Sequence, residues 1–299
     1  MSIAARVLLL AFGVTAAERA PLGAQPVARA AAVSVAGSGP DTYVLVSGIV
    51  GGVAGYRRLA TRLLERGNRV IVIDPFYLSI DSADVTLTAL ARRVNGVLAE
   101  LGVSGARVVG HERGAGVVIR LAAANPERVS ELYLLDAGAL ATNASPILSA
   151  SLRLVPLIAH IPGGRGFIRE RFVRGIRENA GRQEWLDAET QRAYTEPMLD
   201  GIGRVTALAI RLGKSQEPDS VAAIVARIRV HVTVILGDAP HQSGPGREEM
   251  TALVPLGALV RVEHLAGIGH FPHEEAADAV AGLLLTRTVA VARATGGAR

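Results

Sequence analysis

The chain has 299 residues, of which 49% are hydrophobic, so it can bury a large core. Its formal charge of +5 comes from arginines scattered among acidic residues, and this pattern argues against a nucleic-acid-binding protein. The absence of cysteine excludes disulfides, thiol nucleophiles and cysteine-ligated zinc.

The N-terminal segment has the pattern of a secretory signal peptide. Arg6 precedes an apolar run from Val7 to Ala17, and small residues surround Ala24. We therefore expect residues 1–24 to be a signal peptide and the protein to be exported, periplasmic or secreted, with a cytoplasmic protein as the alternative. The apolar run is shorter than the roughly 20 residues that span a bilayer, so no stable membrane span is expected.

After a predicted linker over residues 25–40, apolar strand-like segments alternate with amphipathic helices. The predicted strands include the sequences TYVLVSG, NRVIVIDPF, ARVVG, SELYLLDAG, HVTVILGD and ALVRVEHLAG. Nearly continuous apolar strands that alternate with helices are typical of a parallel sheet covered on both faces. The sequence thus predicts an α/β fold with a mostly parallel central sheet.

The alternation stops between residues 137 and 228, where only helical signals occur. We interpret this segment as a helical cap inserted between two parts of one core, residues 41–136 and 229–299. Such a cap would lie over the carboxyl edge of the sheet, where open α/β sheets bind ligands.

The sequence VVGHERGAG, residues 108–116, combines a strand, a G-x-x-x-G turn and the start of a helix. This is the layout of the nucleophile elbow, whose pattern is G-x-S-x-G. Glu112 stands here in the position of the serine. Carboxylates can attack saturated carbon to give an ester that water hydrolyses, so Glu112 is a candidate nucleophile.

Five ordered segments together carry a resemblance to a known family. They are SGIVGGVAGYRRLATRLLERGNRVIVID, VVGHERGAGVVIRLAAANPERVSELYLLD, the helical insertion, VTVILGD and HLAGIGHFPHEEAADAV. The chain resembles the α/β-hydrolase superfamily, in the capped branch that contains esterases, epoxide hydrolases, haloalkane dehalogenases and C–C hydrolases. The fold implied is the α/β-hydrolase fold with a cap.

The resemblance also implies roles for particular residues. The backbone N–H groups of Ile49 and Arg113 would donate to an oxyanion. His270, in GIGHFPHEE, stands at the position of the catalytic base. The acid that orients it is Asp238 or, in reserve, Asp136, because the usual acidic residue lies about two positions after Asp238, where Pro240 or His241 stands.

Four further residues are expected to line the substrate pocket: Ser47, Gly48, His111 and Tyr194. No metal site is expected, because the spacing of His264, His273, Glu274 and Glu275 is not H-E-x-x-H. No organic cofactor is implied, since no nucleotide-binding glycine motif follows the first strand.

These features predict a hydrolase for a small, largely apolar ester or epoxide. Glu112 would act as nucleophile or general base, and His270 would activate water. The alternative is a non-catalytic ligand-binding protein, a pseudo-hydrolase that keeps the fold and the pocket. The partner in either case is a small molecule, and the oligomeric state stays open.

Overall fold

The computed structural model describes residues 32–49, 51–137 and 152–286. Its strands form one seven-stranded sheet in the order β1-β3-β2-β4-β5-β6-β7, in which β1 is antiparallel to β3 and the other neighbours are parallel. The strands are β1 Val33–Ala36, β2 Thr42–Val46, β3 Arg69–Ile73, β4 Ala106–His111, β5 Val129–Leu135, β6 His231–Gly237 and β7 Val260–Leu265. The mostly parallel sheet that the sequence predicts is therefore present.

Helices cover both faces of this sheet. They are α1 Arg57–Glu65, α2 Pro75–Leu78, α3 Leu87–Glu100, α4 Arg113–Ala124, α5 Val155–His160, α6 Gly164–Asn179, α7 Ala188–Asp200, α8 Ile202–Lys214, α9 Val221–Val225, α10 Arg247–Leu253, α11 Pro272–Glu275 and α12 Ala277–Leu285. Short 3₁₀ segments lie at Gly52–Tyr56, Pro126–Arg128 and Val254–Leu259.

Alternate side chains of each central strand pack into different hydrophobic clusters. On β2, Val44 and Val46 belong to the cluster that contains residues of α3 and α4, whereas Tyr43 and Leu45 belong to the cluster that contains residues of α1 and α12. Successive side chains of a strand point to opposite faces, so each strand contributes to both layers. This double burial explains why the strands are apolar at nearly every position.

The described residues between β5 and β6 form helices without any strand, in agreement with the helical insertion that the sequence predicts. A third apolar cluster joins α6 and α7 to the loop before α11, through residues such as Val173, Trp185, Tyr194 and Phe271. The insertion therefore packs beside His270, on the carboxyl side of the sheet.

Two sequence predictions concern the N-terminal part of the chain. Strand β1 lies inside the segment 25–40 that was predicted to be a linker, where it pairs with β3. The predicted signal peptide, residues 1–24, lies outside the described residues. Within residues 32–49, 51–137 and 152–286, no helix is long and apolar enough to cross a membrane.

Candidate active site

Glu112 lies in a sharp turn between β4 and α4. Its backbone angles are φ 51° and ψ −126°, a conformation that a residue with a side chain rarely adopts. The glycines of the motif make the turn possible. A Cβ at Gly110 would lie 2.7 Å from the Cα of Ala115, and a Cβ at Gly114 would lie 2.5 Å from the carbonyl oxygen of Ser47. The strand, turn and helix predicted around Glu112 are thus present.

The Glu112 carboxylate contacts the loop that follows β2. The backbone N–H of Ile49 donates a hydrogen bond to Glu112 Oε2 at 2.9 Å. Gly48 leaves room for this contact, since a Cβ there would lie 2.4 Å from the same oxygen. Ile49, predicted to donate to a reaction oxyanion, therefore donates to the carboxylate itself. Arg113, the second predicted donor, is the first residue of α4 and lines the cavity described below.

His270 is paired with Asp136. Its Nδ1 donates to Asp136 Oδ2 at 2.8 Å, and the exposed fractions of the two side chains are only 7% and 1%. The backbone N–H of Gly237, at the end of β6, donates to Asp136 Oδ1 at 3.2 Å. The backbone N–H of His270 donates to the carbonyl of Asn179 in the helical insertion. The sheet and the insertion together therefore hold this pair.

The structure corrects the preference for Asp238 as the acid beside His270. Asp238 Oδ1 accepts a hydrogen bond from the backbone N–H of Gly267 at 2.5 Å, which makes it a loop-stabilising residue. Asp136 is held beside β6 instead, because its backbone N–H donates to the carbonyl of Ile235 at 2.7 Å. The reserve candidate of the sequence analysis thus contacts His270.

A second histidine contacts the same oxygen of Asp136. His241 Nε2 lies 2.7 Å from Asp136 Oδ2, and its Nδ1 lies 2.7 Å from the carbonyl oxygen of Ala239. Burial alone lowers the pKa of His241, but these two acceptors outweigh burial and raise it. Burial likewise raises the pKa of Asp136, whereas the contacts with His270 and His241 hold it below its ordinary value.

The side chains of Asp136, His241 and His270 bring three potential metal-ligand atoms within 4.8 Å of one another. The separations of 2.7 and 2.8 Å between the nitrogens and Oδ2 are, however, typical of hydrogen bonds. Two ligands of one metal ion lie farther apart, because each is about 2 Å from the ion and the angle between them is wide. The geometry therefore favours a hydrogen-bonded cluster.

Glu112, Asp136 and His270 line one cavity of about 530 Å³. Among the described residues no hydrogen bond joins Glu112 to His270, although both line this cavity. Its other lining residues include the charged Arg113, Arg247 and Glu248 and the polar Gln242 and Ser243. Most of these side chains are polar or charged, whereas apolar atoms form the larger part of the lining surface, so the cavity is compatible with a largely apolar substrate that carries a polar group.

None of the four predicted pocket residues is among the described residues that line this cavity. Ser47 and His111 are buried, and His111 Nε2 donates to the carbonyl of His270 at 2.8 Å. Burial, with a smaller contribution from His270, lowers the pKa of His111 to about 3, so this imidazole is neutral. The Tyr194 hydroxyl donates to Glu274 Oε1 at 3.0 Å, and its ring packs under Gly51. The side chains of Ser47, His111 and Tyr194 are therefore buried and are not among the described residues that line the cavity.

Comparisons with known proteins identify the fold. The profile of a family described as alpha/beta hydrolase fold matches residues 43–159. Over 130 residues the chain is 27% identical to a 2-hydroxy-6-oxononadienedioate/2-hydroxy-6-oxononatrienedioate hydrolase from a Pseudomonas species, a match that covers 41% of this chain and 46% of the relative. The chain spans less than half the length of such curated relatives.

Solved structures match over most of the chain. An alpha/beta hydrolase fold protein from Burkholderia ambifaria superposes with a TM-score of 0.66 at 20% identity, covering 85% of this chain and 93% of that one. A thermophilic esterase from Thermogutta terrifontis has a TM-score of 0.62 at 21% identity, with 85% and 90% covered. The chain has the α/β-hydrolase fold, and the predicted fold class is confirmed.

Proposed function

We propose that the protein is a hydrolase in which the Glu112 carboxylate is the nucleophile and the His270–Asp136 pair activates water. The observation that carries this proposal is the hydrogen bond from the Ile49 N–H to Glu112 Oε2 at 2.9 Å. It fixes one carboxylate oxygen against a backbone donor, so that the other oxygen, Oε1, serves as the attacking atom. A preorganised donor of this kind stabilises charge that develops on the held oxygen.

The first step fits an electrophilic saturated carbon, such as a carbon of an epoxide ring. Glu112 Oε1 forms a bond to the ring carbon, and the bond from that carbon to the ring oxygen breaks. The products are a glutamyl ester and an alkoxide, which takes a proton from water. Arg113 and Arg247 are the arginines of the described lining, which also includes Glu248 and Glu249, and in this proposal they stabilise the alkoxide.

The second step hydrolyses the glutamyl ester. With Nδ1 donating to Asp136, the Nε2 of neutral His270 is the basic nitrogen, and it takes a proton from water while the water oxygen attacks Cδ of Glu112. The tetrahedral oxyanion forms on Oε2, which already accepts from Ile49. In its collapse the departing diol oxygen takes the proton from His270, and the hydroxide formed in the first step takes the remaining proton, which restores the Glu112 carboxylate. Hydrolysis is also the reaction named for the Pseudomonas relative.

Ester substrates would require a different role for Glu112, because carboxylate attack on an ester carbonyl gives an anhydride. Glu112 would then act as a general base on water. The same contact with Ile49 also favours a second candidate, the non-catalytic ligand-binding protein, because Glu112 itself occupies the backbone donor that an oxyanion would need. An experiment must separate these three functions.

The test is turnover of terminal epoxides and aryl esters by the full chain in H₂¹⁸O. For an epoxide, one turnover should place ¹⁸O in the Glu112 carboxylate, seen as a gain of about 2 Da in the peptide that contains it, because the diol oxygen comes from the enzyme. Glu112→Gln should abolish turnover. His270→Ala should slow ester hydrolysis on the enzyme by about 10²–10⁴-fold, so that the glutamyl ester accumulates.

The matched control is Glu184→Gln, an exposed carboxylate between α6 and α7, and it should retain parental activity. Turnover with ¹⁸O in the product and none in Glu112 would exclude the nucleophile and favour the general base. No turnover of either substrate class, or a parental rate in both Glu112→Gln and His270→Ala, would contradict the catalytic proposal and favour ligand binding.

A further inference from the structure

His241 is a half-buried histidine that the reaction steps above do not use. It lies between β6 and α10, and only 7% of its side chain is exposed. Both of its ring nitrogens face oxygen atoms, at 2.7 Å in each case. The two acceptors belong to Ala239 and Asp136, and Asp136 is also the partner of His270.

These two contacts determine the protons on His241. The carbonyl oxygen of Ala239 can only accept a hydrogen bond, so Nδ1 must carry a proton. An ionised Asp136 carboxylate also only accepts, so Nε2 must carry a proton as well. An imidazole with protons on both nitrogens is a cation. The neutral form would place a lone pair against either the carbonyl or the carboxylate.

Asp136 Oδ2 therefore receives hydrogen bonds from two imidazoles, one of which is charged. We propose that His241 is a positioning residue, an imidazolium that shares Asp136 with His270 and thereby holds the carboxylate that orients the His270 ring. The inference rests on the proposed function, because it assigns His270 the role of base. The positive charge of His241 offsets part of the negative charge that Asp136 presents to His270.

Other charged groups surround this cluster. Glu275 carries its carboxylate near His241 and accepts a hydrogen bond from the backbone N–H of Gly269. His111 contacts the carbonyl of His270 and is neutral. The lining of the adjoining cavity adds five charged side chains: Glu112, Arg113, Arg247, Glu248 and Glu249. A substitution at His241 leaves all of these groups in place, so it isolates the charge of His241.

The test is an NMR titration of the histidine ring nitrogens in the full chain, with no substrate present. In the parent, both ring nitrogens of His241 should be protonated at pH 7. His241→Gln keeps a neutral N–H donor toward Asp136 but removes the charge. The Nδ1–H signal of His270, which reports its hydrogen bond to Asp136, should then shift, because Asp136 no longer faces a cation. Because the two imidazoles are coupled, both signals are followed together.

The control is His264→Gln, which replaces an exposed histidine on β7 and should leave both signals unchanged. If the enzyme turns over substrate, the pH–rate profile of His241→Gln should differ from those of the parent and of His264→Gln. A neutral His241 ring in the parent at pH 7, or an unchanged Nδ1–H signal of His270 in His241→Gln, would overturn the proposal. Both readouts are independent of turnover, so this failure is distinguishable from failure of the proposed hydrolase activity.

Discussion

The backbone conformation at Glu112 gives a direct prediction about stability. A non-glycine residue with φ 51° and ψ −126° has a strain of about 1–3 kcal/mol relative to a relaxed backbone. Glycine adopts positive φ without this penalty. Replacing Glu112 by glycine should therefore release strain, whereas replacing it by alanine should not.

The comparison of Glu112→Gly with Glu112→Ala isolates the energy of the backbone conformation, because both variants lose the carboxylate and its hydrogen bond from Ile49. Glycine also lowers the free energy of unfolding by about 0.4–1 kcal/mol, because the unfolded chain gains conformational freedom. Subtracting this loss from the strain energy released leaves Glu112→Gly more stable than Glu112→Ala by about 1 kcal/mol. For a domain of this size, that corresponds to roughly 2–4 °C in melting temperature.

The assay is urea unfolding followed by the fluorescence of Trp185, the single tryptophan of the chain, which is buried in the helical insertion. The control is Ala123→Gly in α4, where the helical backbone is relaxed and glycine should destabilise by about 1 kcal/mol. If Glu112→Gly is no more stable than Glu112→Ala, the turn stores no strain at this residue and the reasoning is refuted.

Three further predictions concern stability. Gly114→Ala should lose about 3 kcal/mol in urea unfolding, because its Cβ would lie 2.5 Å from two backbone carbonyl oxygens, whereas Gly96→Ala in α3, with open space around the Cβ, should gain up to about 1 kcal/mol. Burial raises the pKa of Glu274 from 4.5 to about 8, so the folded state binds an extra proton between these values. The free energy of unfolding should fall as pH rises from about 4.5 to 8, by at most about 1.4 kcal/mol per pH unit, and Glu274→Gln should reduce this slope in a pH series of urea titrations. Arg120→Met removes the ion-pair partner of Glu217 (3.1 Å) and should lose about 3 kcal/mol, although Glu217 still accepts hydrogen bonds from Leu87 and Thr88. If the unpaired charge of Glu217 causes the loss, adding Glu217→Gln should restore at least half of it.

The sequence predicted those parts of the fold and site that depend on neighbouring residues. The elbow around Glu112 is an example, because its glycines and its strand-to-helix change are all within nine residues. The apolar strands were equally visible, since burial on both faces leaves a continuous apolar run. The position of His270 in the loop before α11 followed from a short motif of the same kind.

The partner of His270 was not predictable in this way, because Asp136 and Asp238 both follow apolar strands of the sheet. The choice depends on how the chain leaves β5 and β6, which neither local pattern encodes. Asp136 turns toward β6, whereas Asp238 faces the backbone of Gly267. Two of the predicted pocket residues are near the elbow, but the described contacts of their side chains are with the carbonyl of His270, for His111, and with Glu274, for Tyr194.

Backbone strain provides an independent indication of which residues matter. Among the described residues, Glu112 and Asp136 are the only non-glycine residues with positive φ, at 51° and 44°. Each stands directly after a parallel strand, and the hydrogen bonds of the site involve the same two side chains. Glycine would occupy such positions more easily, so the carboxylates must be held there by other interactions. Strain at both carboxylates of one cavity therefore marks this cavity as the functional site, whether it catalyses a reaction or binds a ligand.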